Sequence, residues 1–154
     1  MSPVMNSATL TKPMIVKPGG PTFGPPVERM TPKLTSSDTG GQFAIGHVEI
    51  HFQAGPPMHM HTHEDEMFLI LEGSIRFYVG DEIILANAGD VVWAPRNIRH
   101  RFEGASVSPA KAYVLSTGDN FDRFIVKWMA KMDEVGPNME ILRPIAEEHG
   151  ITIY

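Results

Sequence analysis

The feature that most constrains this chain is a cadence. From Gln42 to about Thr117, short runs of β-branched, aromatic and aliphatic residues alternate with turn residues. QFAIGHVEIHFQ stops at AGPP. EMFLILEG is followed by SIRFYVGDEIILANAGDVVWAPRN, then HRFEG, then KAYVLST, with Gly73, VGDE, NAGD and PRN as punctuation. Strands this short and this evenly spaced form an antiparallel sandwich or barrel. In SIRFYV, Ile75, Phe77 and Val79 alternate with Arg76 and Tyr78, the period-two pattern of a strand with one buried face. The expected fold class is all-β.

The two ends of the chain break this cadence. Residues 1–36 carry Pro3, Pro13, Pro18, Pro21, Pro25, Pro26 and Pro32, so no helix can form there, because proline fixes φ and removes a backbone donor. ATLTKPMIV has strand character, and the segment reads as an extended arm laid on a partner subunit. Residues 119–154 change period. Phe121, Phe124, Ile125, Trp128, Met129 and Met132 recur at helical spacing and form one apolar stripe. Asp119 or Asn120 is placed to cap this helix, and Gly136–Pro137 ends it. A shorter helix is expected to start at Pro144 and stop before Gly150. The stripe is expected to pack on the outside of the β-unit, which leaves residues 37–118 as the barrel.

Composition excludes several functions. With 154 residues the chain suits one domain, and its net charge of −5 without Lys/Arg clusters suits neither nucleic acid nor an anionic membrane. The lack of cysteine rules out disulfides and thiolate zinc sites and agrees with a cytoplasmic protein, the expected location. Neither a signal-peptide pattern nor a membrane-spanning apolar run is evident.

The chemistry concentrates in MHMHTHEDEMFLILEG. Residues two apart on a strand share a face, so His59 and His61 point the same way, and His63 joins them only if the strand continues. Further on, Glu66 shares a face with Phe68 and Ile70. A carboxylate leading an apolar face is costly to bury unless something pairs with it. A metal held by two imidazoles would pair with it, and would need a further ligand from elsewhere.

The spacing His59-x-His61-x4-Glu66-x6-Gly73 resembles the first motif of the cupin superfamily, and Gly89-x5-Pro95-x-Asn97-x2-His100 resembles the second. The gap between them, Ser74 to Ala88, is typical of the family, and a weaker likeness to small quercetin-dioxygenase-like cupins extends over LTSSDTGG and STGDNFDRFIVKW. Three departures stand out. The opening glycine of the first motif would fall at Gln53, Asn97 replaces the turn glycine of the second, and Gly104 stands at its terminal asparagine. Asn97 is a mild change, because Asn tolerates the left-handed region.

The resemblance implies a single cupin jelly-roll barrel with a C-terminal helical extension. It also implies one divalent metal on His59, His61, Glu66 and His100. Three imidazoles and one carboxylate suit Fe, Mn, Ni, Cu or Zn better than Ca or Mg. Glu66 is the candidate catalytic residue, as ligand and base. Phe68, Ile70, Phe77 and Phe102 share the inward parity of Glu66 or His100 and, with Trp93, are expected to wall a largely apolar substrate pocket, although Trp93 has core as its other reading. His63 reads as an exposed side chain at the barrel mouth or as a proton carrier. His47, Glu49 and His51 read as a solvated face or a pocket wall. The function implied is a quercetinase-like dioxygenase acting on a small enol, flavonoid-like or aromatic substrate. The alternatives are a Lewis-acid isomerase, cyclase or lyase, and a non-catalytic binding protein. The expected assembly is a homodimer.

Overall fold

A computed structural model describes residues 11–154. The first ten residues, with Pro3 and the start of ATLTKPMIV, lie outside the described residues. The strands are β1 (Glu28–Leu34), β2 (Phe43–Ile50), β3 (His59–His61), β4 (Glu66–Glu72), β5 (Ser74–Val79), β6 (Glu82–Asn87), β7 (Val91–Ala94), β8 (His100–Gly104), β9 (Ala110–Thr117) and β10 (Ile151–Ile153). The helices are α1 (Phe121–Val135) and α2 (Met139–Glu148). Two five-stranded antiparallel sheets, ordered β1-β2-β9-β4-β7 and β10-β3-β8-β5-β6, face each other as a jelly roll.

Alternation builds the interior. Glu66, Phe68 and Ile70 of β4 are buried, as are Ile75 and Phe77 of β5. Opposite β4, strand β9 turns inward the small residues Ala112 and Val114. They leave room for the rings of Phe68, Phe77 and Phe102, whose centroids lie 4.9–5.7 Å apart.

The barrel is larger than residues 37–118. Strand β1 lies inside the proline-broken segment and pairs with β2 from Glu28↔Ile50 onward. Pro32 fits because β1 is a sheet edge and its register shifts between Pro32 and Leu34. Strand β10, at the far end of the chain, pairs with β3. Three residues are too few to show a period, so only tertiary pairing reveals this strand.

The helical segment also differs from expectation. Helix α2 begins at Met139, where the Asn138 side chain accepts from the Glu140 amide, and Pro144 lies inside it. Leu142 and Ala146, both at 0% exposure, flank the proline, and their burial holds the helix through it. The stripe of α1 does not lie on the barrel's outside. Phe121, Phe124, Ile125, Trp128 and Met129 line a cavity at its open end together with Phe68, Phe102 and Val114. Ser36 anchors the start of α1 by donating its amide and hydroxyl to Asp122, each at 2.9 Å. Among the described residues, no helix is long and apolar enough to cross a membrane.

Candidate metal centre

The four motif side chains come from both sheets. His59 and His61 sit on β3, and His100 opens β8 directly across from His59. Glu66 opens β4 in the facing sheet. One ligand atom from each of the four lies within 4.8 Å of every other. The second-motif turn holds this register. Asn97 adopts φ 64° and donates its amide to the His61 carbonyl at 2.8 Å. Gln53, at the family's glycine position, keeps the left-handed backbone at φ 62° without the glycine. Gly55 serves a close approach, because a Cβ there would lie 1.9 Å from the Phe102 carbonyl oxygen.

Each imidazole is oriented by its outer nitrogen. His59 Nδ1 donates to the Pro57 carbonyl at 2.7 Å, and His61 Nδ1 to Glu64 Oε1 at 2.7 Å. Both rings therefore present Nε2 to the interior. His100 Nε2 lies 2.9 Å from Glu66 Oε2, and His61 Nε2 lies 3.3 Å from the same oxygen. His61 Nε2 is nevertheless buried without a hydrogen-bond partner. A buried orphan nitrogen beside a carboxylate and two more imidazoles is poorly satisfied by protein alone, and it is well satisfied by a cation at the centre. The donor set thus fits a borderline divalent metal.

The electrostatics agree. Burial, reinforced by the neighbouring His100 and His61, holds His59 far below the ordinary imidazole value, so it is a neutral donor. Burial opposes ionisation of Glu66, but the nearby charge of His61 and the hydrogen bond from His100 overcome it, and the carboxyl falls well below its usual range. Burial also disfavours the imidazolium of His61, yet Glu66 and Glu64 on either side outweigh it and raise its pKa. A metal must displace that proton, which makes binding pH-dependent.

The cavity beside this cluster has a volume of about 60 Å³, and His59, His61 and Glu66 form one wall. Phe68 and Phe102 also line it, as the inward parity implies. Ile70 and Phe77 do not. They are 1% and 0% exposed and fill the barrel further from the site. Trp93 is neither core nor pocket. It lies 53% exposed on edge strand β7, opposite the outward-facing Met67. His63 is exposed at the mouth, and His47, Glu49 and His51 point away from the core.

Sequence reasoning missed Glu64, which is 1% exposed and bound to His61. The motif gave no role to an acid between His63 and Glu66, although a buried metal-ligand histidine commonly has a carboxylate on its outer nitrogen. It also missed Glu28, a partly buried cavity-lining carboxyl that burial raises to about 7.

Comparison with known proteins agrees with this fold. Residues 46–116 match the family model described as Cupin domain. Solved structures sharing the fold include KdgF from a Halomonas species, 15% identical, with a TM-score of 0.57 over 64% of this chain and 87% of that one. Another is the polyketide cyclase RemF from Streptomyces resistomycificus, 18% identical, with a TM-score of 0.56 over 70% of this chain and 80% of that one. Mannose-1-phosphate guanylyltransferase 2 of Escherichia coli O157:H7 is 24% identical over 87 residues, which is 56% of this chain and 18% of that protein. The chain thus spans less than a fifth of that curated relative. The barrel has the jelly-roll fold of these structures and carries a His-His-Glu-His cluster able to hold a metal.

Proposed function

We propose that the protein is a mononuclear metal-dependent enzyme acting on a small, uncharged, largely apolar substrate with an enol or phenol oxygen, with dioxygenation as the leading reaction. The cavity's composition carries this reading. Met30, Val48, Phe68, Phe102, Val114 and Trp128 wall it, and among the described residues the only acids lining it are Glu28 and Glu66. Among the described residues no Lys or Arg lines it, so no guanidinium or ammonium is present to hold a phosphate or a second carboxylate. Sugar phosphates and nucleotide sugars therefore suit this cavity poorly. At about 60 Å³ the cavity suits a small enol.

A metal on these four side chains supplies Lewis-acid polarisation of a substrate oxygen and, if redox-active, a centre for O2 chemistry. His59 and His61 hold their Nε2 atoms toward the cavity wall, fixed by Pro57 and Glu64. Glu66 lines the same wall, and its carboxylate takes the proton of the substrate hydroxyl. The apolar stripe of α1 keeps water out.

A Lewis-acid cyclase or isomerase is the second reading. The same apolar wall serves it, and a fold neighbour is a polyketide cyclase. An oxygen-electrode screen of small enols and flavonols against Fe-, Mn-, Ni-, Cu- and Zn-loaded protein separates the two. Oxygen uptake with a redox-active ion supports dioxygenation. Conversion without uptake, in the Zn or Ni form, overturns it in favour of the second reading. Glu66→Gln at matched metal occupancy should slow turnover by about 10²–10⁴-fold if Glu66 is the base.

We also infer a homodimer. The outer face of the first sheet exposes Leu71, Val91, Trp93 and Tyr113, and Met14 and Val16 of the arm lie beside its apolar residues. A monomer mass by light scattering at micromolar concentration overturns it.

A further inference from the structure

Beyond the four candidate ligands, a line of polar contacts, buried at His61 and Glu64 and partly buried at Asn120 and His149, runs from the metal centre to residues 149–153. Glu64 Oε1 accepts from His61 Nδ1 at 2.7 Å, and Glu64 Oε2 accepts from Asn120 Nδ2 at 3.0 Å. Asn120 Nδ2 also donates to the His149 carbonyl at 2.7 Å, and its Oδ1 accepts from His149 Nδ1 at 3.1 Å. His149 closes α2. The next residue, Gly150, accepts at its carbonyl from the Thr62 amide at 3.0 Å and the Thr62 hydroxyl at 2.8 Å. Strand β10 then pairs Ile151 with His61 and Ile153 with His59. The segment that roofs the cavity is thus tied to the strand that carries two of the candidate ligands.

Asn120 occupies the N-cap position of α1 but makes no side-chain cap bond there. The sequence places Asp119 or Asn120 as a cap. Instead, the Asn120 side chain serves Glu64 and His149, and α1 forgoes the stabilisation of a side-chain cap. That expense has a rationale only if the clasp matters more than the cap.

We propose that Glu64 and Asn120 are positioning residues that couple metal binding at His61 to docking of the α2–β10 segment. The proposal rests on the metal-centre reading. An ion on His61 Nε2 requires the tautomer with hydrogen on Nδ1, and that hydrogen needs an acceptor fixed in place. Glu64 is that acceptor, and Asn120 fixes it only while His149 is docked. Because coupling between two binding events is reciprocal, a docked segment raises metal affinity and metal raises docking by the same factor.

The test uses the full chain, Zn2+ as the probe, and two readouts apart from activity. Competition titration against a colorimetric chelator gives Zn2+ affinity. Hydrogen exchange across residues 139–153 gives docking, with and without Zn2+. Asn120→Ala should weaken Zn2+ binding about 10–100-fold and abolish the zinc-induced slowing of exchange. Glu64→Gln, which keeps the shape but loses the charge, should show the same effect to a smaller degree. Leu142→Ala controls for plain destabilisation: it should speed exchange with and without Zn2+ while preserving the zinc-induced difference. The coupling is overturned if Asn120→Ala binds Zn2+ as tightly as wild type, or if zinc protects the segment equally in both. A wild-type protein that binds neither Zn2+ nor any other first-row divalent ion overturns the metal reading and the coupling together.

Discussion

The two ends of the barrel are built from the same strands and filled in opposite ways. On β4 one inward row runs Glu66, Phe68, Ile70, from the metal end to the packed end. At the packed end, Ile70, Ile75 and Phe77 meet across the sandwich at 0–1% exposure. At the other end, three imidazoles and a carboxylate converge, and a small apolar cavity remains beside them. Alternation decides which residues point inward, whereas a site arises only where the inward residues cannot satisfy one another. His61 Nε2, buried and unpaired, marks that end.

Three experiments sharpen the contrast, taken from the largest effect down. At the metal end, His100→Ala should lower metal affinity by at least about 100-fold, because it removes a ligand outright, while His63→Ala should leave metal content unchanged. Elemental analysis of protein purified without added metal, repeated on both variants, checks this, and equal loss in both would assign the wrong histidines.

At the packed end, Phe77→Ala should cost about 3–5 kcal/mol in chemical denaturation, since it opens a cavity among Phe68, Phe102 and Ile75. Trp93→Ala, on the outer face, should cost less than about 1 kcal/mol. Similar losses would mean that Trp93 is buried in the native assembly, which would bear on the dimer.

The smallest effect concerns Glu28 at the cavity wall. Burial raises its carboxyl from 4.5 to about 7. Its contribution to stability is therefore full below about pH 4.5 and is lost as pH rises through about 7. Glu28→Gln cannot ionise, so relative to wild type it should gain about 1–3 kcal/mol between pH 5 and pH 8. Denaturation curves at the two pH values measure this, and a constant difference would show that Glu28 is solvated.

The local code of the chain fixed a good deal. Period-two alternation with regular turns specified an all-β unit. The spacing from His59 to Gly73 and from Gly89 to His100 named four side chains, and these are the four that converge. Strand parity put Phe68 and Phe102 inward because parity is a local property. The tertiary structure decided the rest, because those outcomes depend on what lies across a gap in space. Parity put Ile70 and Phe77 inside but could not say how far along the barrel the cavity reached. Pro32 hid β1, whose pairing with β2 as an edge strand tolerates the missing donor. The α1 stripe specified a buried face without saying what it covers, and it covers the cavity. Glu64 is one acid among several in HTHEDE, and only the fold folds it back onto His61 and under Asn120. Those partners lie on separate elements, 56 positions apart for Glu64 and Asn120, and no pattern of neighbours in a sequence encodes such a distance.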